Sequence, residues 1–220
     1  MTLAIFDLDN TLLNGDSDWL WGQFLVEQGI VDGDHYESEN LRYYHAYQAG
    51  TLDIFEFLAF QLKPLADNNL NTLHQLRDAF MLEKIQPTIT VAARELLDRH
   101  RQQGDTLMII TATNSFITGP IADELGVEHL LATEPELTNN CYSGKVSGTP
   151  CFRDGKVVRL KQWLQIHSCS LDGSYFYSDS HNDLPLLNEV KHPIAVDPDE
   201  RLKAHAVTMN WPIISLRGAF

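Results

Sequence analysis

The sequence predicts an α/β protein: a doubly wound parallel sheet core with an all-helical cap domain inserted after the first strand. Three observations predict it. Leu3-Ala4-Ile5-Phe6 is an unbroken apolar run, the form a strand takes when both its faces are covered. From Pro87 onward, short apolar runs alternate with segments of helical spacing, the pattern of parallel strands flanked by helices. Between these, from Asp16 to about Gln86, the spacing is helical throughout and no strand pattern occurs. The boundaries fall near residues 14 and 86, so that 1–14 and 87–220 form the core and 15–86 the cap.

The first strand ends abruptly in Asp7 and Asp9. Residues two apart in an extended chain point the same way, so both carboxylates belong on one face at the strand's carboxyl end. In an open parallel sheet, that end is where ligands bind. Paired carboxylates repel unless one takes up a proton or a cation lies between them. The plainer alternative is an Asp-rich turn with Asn10 as its turn residue.

In the cap, Asp16, Ser17 or Asp18 can cap a helix carrying Trp19, Leu20, Trp21, Phe24, Leu25 and Val26, which ends near Gly29. A second helix runs from Asp34 to Ala49, with Leu41, Tyr44 and Ala46 inward and Gly50 as its stop. A third, capped by Asp53, carries Ile54, Phe55, Phe57, Leu58 and Leu62 until Pro64 ends it. A fourth spans about Asn69 to Lys84.

In the core, Thr88 to Gln103 is a helix with Val91, Leu96 and Leu97 inward, closed by Gly104. Thr106 to Ile110 is the second strand, followed by a helix from Phe116 to Leu125. Residues 129–150 read as short strands, with turns at Ser143-Gly144 and Ser147-Gly148. A helix from Gly155 to Ile166 leads to strands at Tyr175–Tyr177 and Pro193–Val196, and Trp211 to Leu216 is a candidate last strand.

Composition narrows the function. Sixteen basic against 30 acidic residues give a net charge of −14. That surface argues against nucleic acid and against anionic membranes as partners. An anionic substrate would have to be drawn in by a local cation. The three cysteines, Cys141, Cys151 and Cys169, show neither disulfide nor zinc spacing and read as reduced. The first strand begins two residues after Met1 with no basic lead, and no apolar run nears 18 residues, so neither a signal peptide nor a membrane span is expected, and a cytoplasmic enzyme is.

Every candidate polar group follows a buried strand. Asp7 and Asp9 follow the first, Thr111 the second, and Ser178, Asp179, Asn182 and Asp183 the third. In a parallel sheet these ends share one edge, so the groups converge. Lys156 opens the helix before the third strand and can reach that edge; Lys145 and Lys161 are its competitors, and Lys161 faces another side of the helix. Each has a bland reading as well: Thr111 as a strand-end threonine, Asp179 and Asp183 as capping carboxylates, His181 as a loop residue. No P-loop, no G-x-S-x-G and no H-E-x-x-H occurs.

D-L-D-N-T (7–11), the apolar run ending in Thr111, the lysine of G-K-V-V-R-L (155–160) and S-D-S-H-N-D-L (178–184) resemble, in order, the four motifs of the haloacid dehalogenase superfamily. The helical insertion after the first motif is similar to its phosphoserine-phosphatase-like subgroup. The resemblance implies a Mg²⁺-dependent phosphatase acting on a small phosphorylated metabolite. Asp7 would be the nucleophile and Asp9 the general acid and base. Asp7, the Asp9 carbonyl and Asp179 would hold Mg²⁺, and Thr111 and Lys156 the phosphoryl group. Asp183 would orient Lys156 or a metal-bound water, with help from Asn182.

In that subgroup an acidic residue after the first motif holds a substrate ammonium, and an arginine in the cap holds a carboxylate. The acidic position corresponds to Asp16. The arginine position falls near Gln61, and residues 51–62 contain no basic residue. Asp16, Asp18 and Glu56, with Trp19, Trp21, Tyr43, Tyr44, Phe55 and Phe57, suit a cationic or imidazole-bearing group, although most of these aromatics also read as cap core. Some members of the subgroup are histidinol-phosphate phosphatases, and histidinol phosphate is the expected substrate. The alternatives are phosphoserine or another small phosphate ester, phosphotransfer on the same scaffold, a receiver-type phospho-acceptor, and a non-catalytic binding module.

Overall fold

The computed structural model describes residues 2–217. Residues 218–220 of the predicted core domain lie outside the described residues. The centre is β1 (Leu3–Phe6), all four residues of which are buried. β1 pairs in parallel with β2 (Thr106–Asn114) on one side and β5 (Tyr175–Ser178) on the other. β3 (His129–Thr138) extends the sheet beyond β2, while β6 (His192–Val196) and β7 (Ile213–Ile214) extend it beyond β5. The order is β4-β3-β2-β1-β5-β6-β7, with β4 (Cys141–Ser147) an antiparallel edge. The chain therefore builds outward from β1 in one direction and then returns to build in the other. This switch at β1 opens a crevice at the carboxyl ends of the central strands.

Alternate residues of β1 feed two cores. Ala4 and Phe6 join Leu96, Leu97, Ile109 and Tyr177 on one face, and Leu3 and Ile5 join Met108, Ile110, Leu160 and Phe176 on the other. The flanking helices are α6 (Val91–Gln103), α7 (Ser115–Glu124), α8 (Asp154–His167), the short α9 (Leu184–Leu187) and α10 (Glu200–Met209). Both core faces are covered, as the uninterrupted apolar character of β1 requires.

Between β1 and α6 lie α1 (Ser17–Glu27), α2 (Gly33–Ala49), α3 (Ile54–Gln61), α4 (Lys63–Asp67) and α5 (Leu70–Phe80). Their apolar side chains continue the first core: Leu25, Leu58, Leu62, Leu65, Leu73 and Phe80 belong to the same cluster as Phe6. Trp21 meets Phe80 edge-on at 5.1 Å and Phe116 of α7 at 6.0 Å.

Several elements differ from expectation, each for a local reason. In α2 the buried face is Tyr36, Asn40 and Tyr43, while Leu41 and Tyr44 are exposed. A helix this rich in tyrosine gives apolar spacing on two sides. Val91 is 72% exposed because it is the first residue of α6, one position after its Thr90 cap. Pro64 does not end the helical path but sits in the first turn of α4, where its missing N–H costs nothing. The hairpin between β3 and β4 turns at Asn139-Asn140, both left-handed, rather than at Ser143-Gly144. The three cysteines are free, as expected.

Gly22, one turn into α1, lets α2 approach: a Cβ there would stand 2.5 Å from the Tyr36 ring and 2.6 Å from the Asn40 amide. Gly22→Ala, normally a gain of about 1 kcal/mol inside a helix, is expected to destabilise instead by roughly 1–3 kcal/mol, read as a lowered urea midpoint.

Candidate active site

Asp7 is the first residue beyond β1, and its N–H still continues the ladder to the Tyr177 carbonyl at 2.9 Å. The chain then makes a wide turn over 8–12. Asn10 takes the left-handed conformation there (φ 56°), and Leu13 N–H closes the turn on the Leu8 carbonyl at 3.0 Å. This turn brings Asp7, Asp9 and Thr11 to the crevice.

The centre is a buried ammonium between two carboxylates. Lys156 Nζ donates to Asp7 Oδ1 at 2.7 Å and to Asp183 Oδ2 at 2.8 Å. Ser178 Oγ donates to the same Asp183 oxygen at 2.7 Å. Although Asp183 immediately precedes α9, its side chain makes no capping bond, so the capping reading does not hold. Thr11 Oγ1 lies 3.1 Å from Asp179 Oδ1 and 3.4 Å from Asp7 Oδ2, and it accepts from Asp179 N–H at 3.1 Å. Asp179 caps nothing either; it accepts from Thr11. The rejected lysine, Lys161, pairs with Glu189 at the surface.

Asp9 is held by donors from three places. Ser17 N–H meets Oδ1 at 2.6 Å, while Thr113 Oγ1 and Thr111 Oγ1 meet Oδ2 at 2.8 and 3.3 Å. Thr113 and Thr11 were not singled out from sequence, yet a signal existed. Thr111 and Thr113 are two apart on one strand and so share a face, and Thr11 stands in the same short motif as Asp7 and Asp9.

Burial dominates the electrostatics. It pushes the Asp7 carboxyl up to about 7; the nearby Lys156 ammonium opposes this, and Asp183 adds to it. Asp179 is raised well above the usual carboxylate range by burial, then by Asp7 and Asp183. Burial alone would lower the Lys156 value, but Asp183 and Asp7 outweigh it and hold the amine protonated. One ammonium thus faces three acids, Asp7, Asp179 and Asp183, and either protons on the raised acids or a second cation would balance them. Among the described residues no cluster of three or more His, Cys, Asp or Glu side chains is arranged to hold a metal. Two carboxylates, a backbone carbonyl and waters nevertheless fit Mg²⁺, which keeps much of its hydration.

Asp7, Asp9, Asp16, Thr111, Lys156, Asn182 and Asp183 all line one cavity of about 100 Å³, several times the space one water needs. Asp179 does not line it. It opens onto an adjoining groove that shares Asn10, Asp16, Tyr44 and Tyr47 with the cavity. Asp16 is the N-cap of α1, its Oδ1 accepting from Asp18 N–H at 3.0 Å and Trp19 N–H at 2.9 Å.

Of the acids and aromatics expected to meet the substrate, Asp18, Trp19, Tyr43, Tyr44 and Phe57 also line the cavity. Trp21 is core, Phe55 is exposed, and Glu56 turns outward to Arg42 at 3.0 Å. Arg77 stacks on Phe116 and donates to its carbonyl, so neither cap arginine reaches the cavity. Gln61 does line it, 2% exposed and hydrogen-bonded to Tyr36 and Asn40.

The core grips the last turn of α2. Arg153 donates to the Gly50 carbonyl at 2.5 Å and to Asn182 Oδ1 at 2.9 Å. Arg201 donates to the Ala49 carbonyl at 3.2 Å, and Tyr47 OH to Ser180 Oγ at 2.9 Å. His181 stands beside Arg201 and pairs with Asp199 at 2.7 Å, a loop role rather than a metal ligand.

With this geometry the class is defined. Residues 4–188 match the model of the haloacid dehalogenase-like hydrolases, and the chain belongs to that family and is a phosphatase. A histidinol-phosphatase of Neisseria meningitidis serogroup C (strain 8013) is 42% identical over 219 residues, covering 98% of this chain and 99% of its own. A solved structure of a protein of unknown function from Bordetella pertussis Tohama I is 42% identical, with a TM-score of 0.92, over 98% of this chain and 100% of its own. A structure titled as a phospho-aspartyl intermediate analogue of phosphoserine phosphatase shares the fold, with a TM-score of 0.72 at 18% identity over 98% and 93% of the two chains. Among the described residues no helix is long and apolar enough to cross a membrane.

Removing the central ammonium leaves two buried carboxylates unpaired. Lys156→Met is expected to cost about 3–5 kcal/mol of stability, whereas Lys161→Met at the surface costs at most about 1 kcal/mol; urea unfolding of both variants checks the contrast.

Proposed function

We propose that this chain is a Mg²⁺-dependent phosphatase that hydrolyses histidinol phosphate through an aspartyl phosphate on Asp7. The observation that carries the chemistry is Asp7, buried at a cavity floor and hydrogen-bonded at 2.7 Å to an ammonium that two carboxylates hold protonated. A carboxylate needs no base to become a nucleophile at neutral pH, and its attack on phosphorus releases the alcohol. Asp9 donates the proton the leaving alkoxide needs, then takes one from the water that cleaves the acyl phosphate. Its orientation for both steps is fixed by Ser17 N–H and Thr113 Oγ1. Lys156 and Thr111 meet the phosphoryl oxygens, where negative charge spreads during transfer. Asp183 and Asn182 act one layer out, Asp183 through Lys156 and Asn182 through Arg153.

Mg²⁺ would be held by the Asp7 and Asp179 carboxylates and the Asp9 carbonyl, and when bound it offsets the repulsion between Asp7 and the phosphate. The helices of 15–86 serve as the cap that closes over the phosphate, and the substrate is a small phosphorylated metabolite of the cytoplasm.

Two observations favour histidinol phosphate over phosphoserine. The relative that is 42% identical along the whole chain is named a histidinol-phosphatase. Among the described residues the cavity carries no basic side chain other than Lys156 to meet a carboxylate, and Gln61 stands near the position where the subgroup has arginine.

A phosphate-release panel with Mg²⁺ is expected to give a higher kcat/KM for histidinol phosphate than for phosphoserine; the reverse order rejects the substrate. Asp7→Asn is expected to lower kcat by about a thousandfold or more with an unchanged circular dichroism spectrum, and near wild-type turnover would remove the mechanism. For Asp179→Ala, the Mg²⁺ concentration giving half-maximal rate is expected to rise about 10- to 100-fold, as a lost metal carboxylate should make it do.

A further inference from the structure

The sequence resemblance points to Asp16 as the acid that meets the cationic part of the substrate, but the hydrogen bonds point two residues further on. Asp16 spends its Oδ1 on the first turn of α1, capping Asp18 and Trp19 N–H. Asp18 also lines the cavity and is 8% exposed. Its Oδ1 is fully enclosed and has no hydrogen-bond partner among the described residues. A buried carboxylate oxygen without a donor is strongly unfavourable and calls for an explanation, and an incoming N–H is one. Burial, then Asp16 and Asp9, push this carboxyl well above the usual range, and a cationic partner is what would hold it ionised.

The surroundings are built for a donor that carries positive charge. Gln61 Nε2 donates to Asn40 Oδ1 at 3.0 Å, and Tyr36 OH to Gln61 Oε1 at 3.0 Å, so the two cavity amides are locked in orientation. Gly22, one turn after Asp18 on the same helix, makes room for Tyr36 and Asn40. The rings of Trp19, Tyr43, Tyr44 and Phe57 complete the wall. Lys156, the sole basic side chain lining the cavity among the described residues, is already engaged by Asp7 and Asp183. A carboxylate on the substrate would find two acids here and no free cation. A protonated amine or imidazole would find an unpartnered acceptor and aromatic faces.

We propose that Asp18, rather than Asp16, is the specificity-determining residue: its carboxylate accepts an N–H from the cationic alcohol portion of the substrate, beside the fixed amides of Asn40 and Gln61. This rests on the proposed phosphatase reading for the position of the phosphate at Asp7, but the subsite itself binds the alcohol without it.

Calorimetric titration of the whole chain with histidinol, which carries no phosphate, isolates this subsite from catalysis. The dissociation constant is expected to rise at least tenfold in Asp18→Asn and by less in Asp16→Asn, because asparagine caps a helix as well as aspartate. Asp18→Glu, which keeps the charge, is expected to retain more affinity than Asp18→Asn, and this comparison also serves if the asparagine variant folds poorly. A rise in Asp18→Asn no larger than in Asp16→Asn overturns the assignment, as does equal loss in Asp18→Glu and Asp18→Asn, or no histidinol binding to the wild type. Histidinol that binds through Asp18 while histidinol phosphate is not hydrolysed leaves the subsite standing and removes the catalytic reading. Preferential hydrolysis of histidinol phosphate with no special role for Asp18 does the opposite.

Discussion

The site depends on one interaction, the ammonium of Lys156 buried between Asp7 and Asp183. Burial drives the Asp7 carboxyl toward its neutral form, and a neutral Asp7 would be a poor nucleophile. The lysine opposes that drive. It can do so because α8 begins beside the carboxyl edge of the sheet, and because Ser178 at the end of β5 steadies Asp183. The balance is incomplete, with three acids set against one amine. A further cation would complete that balance and offset the repulsion an incoming phosphate would meet.

The sheet order explains why residues so distant in sequence meet. β1 and β5 are neighbours at the point where the direction of winding reverses, so Asp7 and Asp179 leave adjacent strands at the same end. Thr11 ties them together across 168 positions of sequence. β2 supplies the third wall: it runs four residues beyond the predicted Ile110, through Thr111 and Thr113, to Asn114. Thr111 and Thr113 are polar because they face the crevice, and Thr113, beyond the apolar run, escaped a reading based on such runs.

The same reasoning marks how far the sequence was readable. β1, the paired acids and the choice of Lys156 over Lys161 followed from burial and spacing, which local pattern encodes well. The inward face of α2 did not. Asn40 is buried because it lines a cavity and bonds to Gln61, and no hydropathy pattern announces a polar residue turned inward for that reason. The β3–β4 turn was misplaced because two Ser-Gly pairs carry stronger turn chemistry than Asn139-Asn140, although asparagine tolerates the left-handed conformation that a tight hairpin requires. The division of labour between Asp16 and Asp18 was equally invisible, since both can cap and only the hydrogen bonds separate them.

The grip on the end of α2 has a consequence for how this family can vary. Gly50 is left-handed (φ 75°), and a side chain there would press on the tips of Arg153, Arg201 and His181, standing 3.3 to 3.5 Å from its Cβ. The two arginine tips also take up the Gly50 and Ala49 carbonyls at the helix end, so the position is tied to its neighbours through both backbone shape and space. Drift at residue 50 would have to be matched by changes at 153 and 201, on two other segments of the chain. The three positions should therefore co-vary among relatives, with substitutions arriving as a set or not at all.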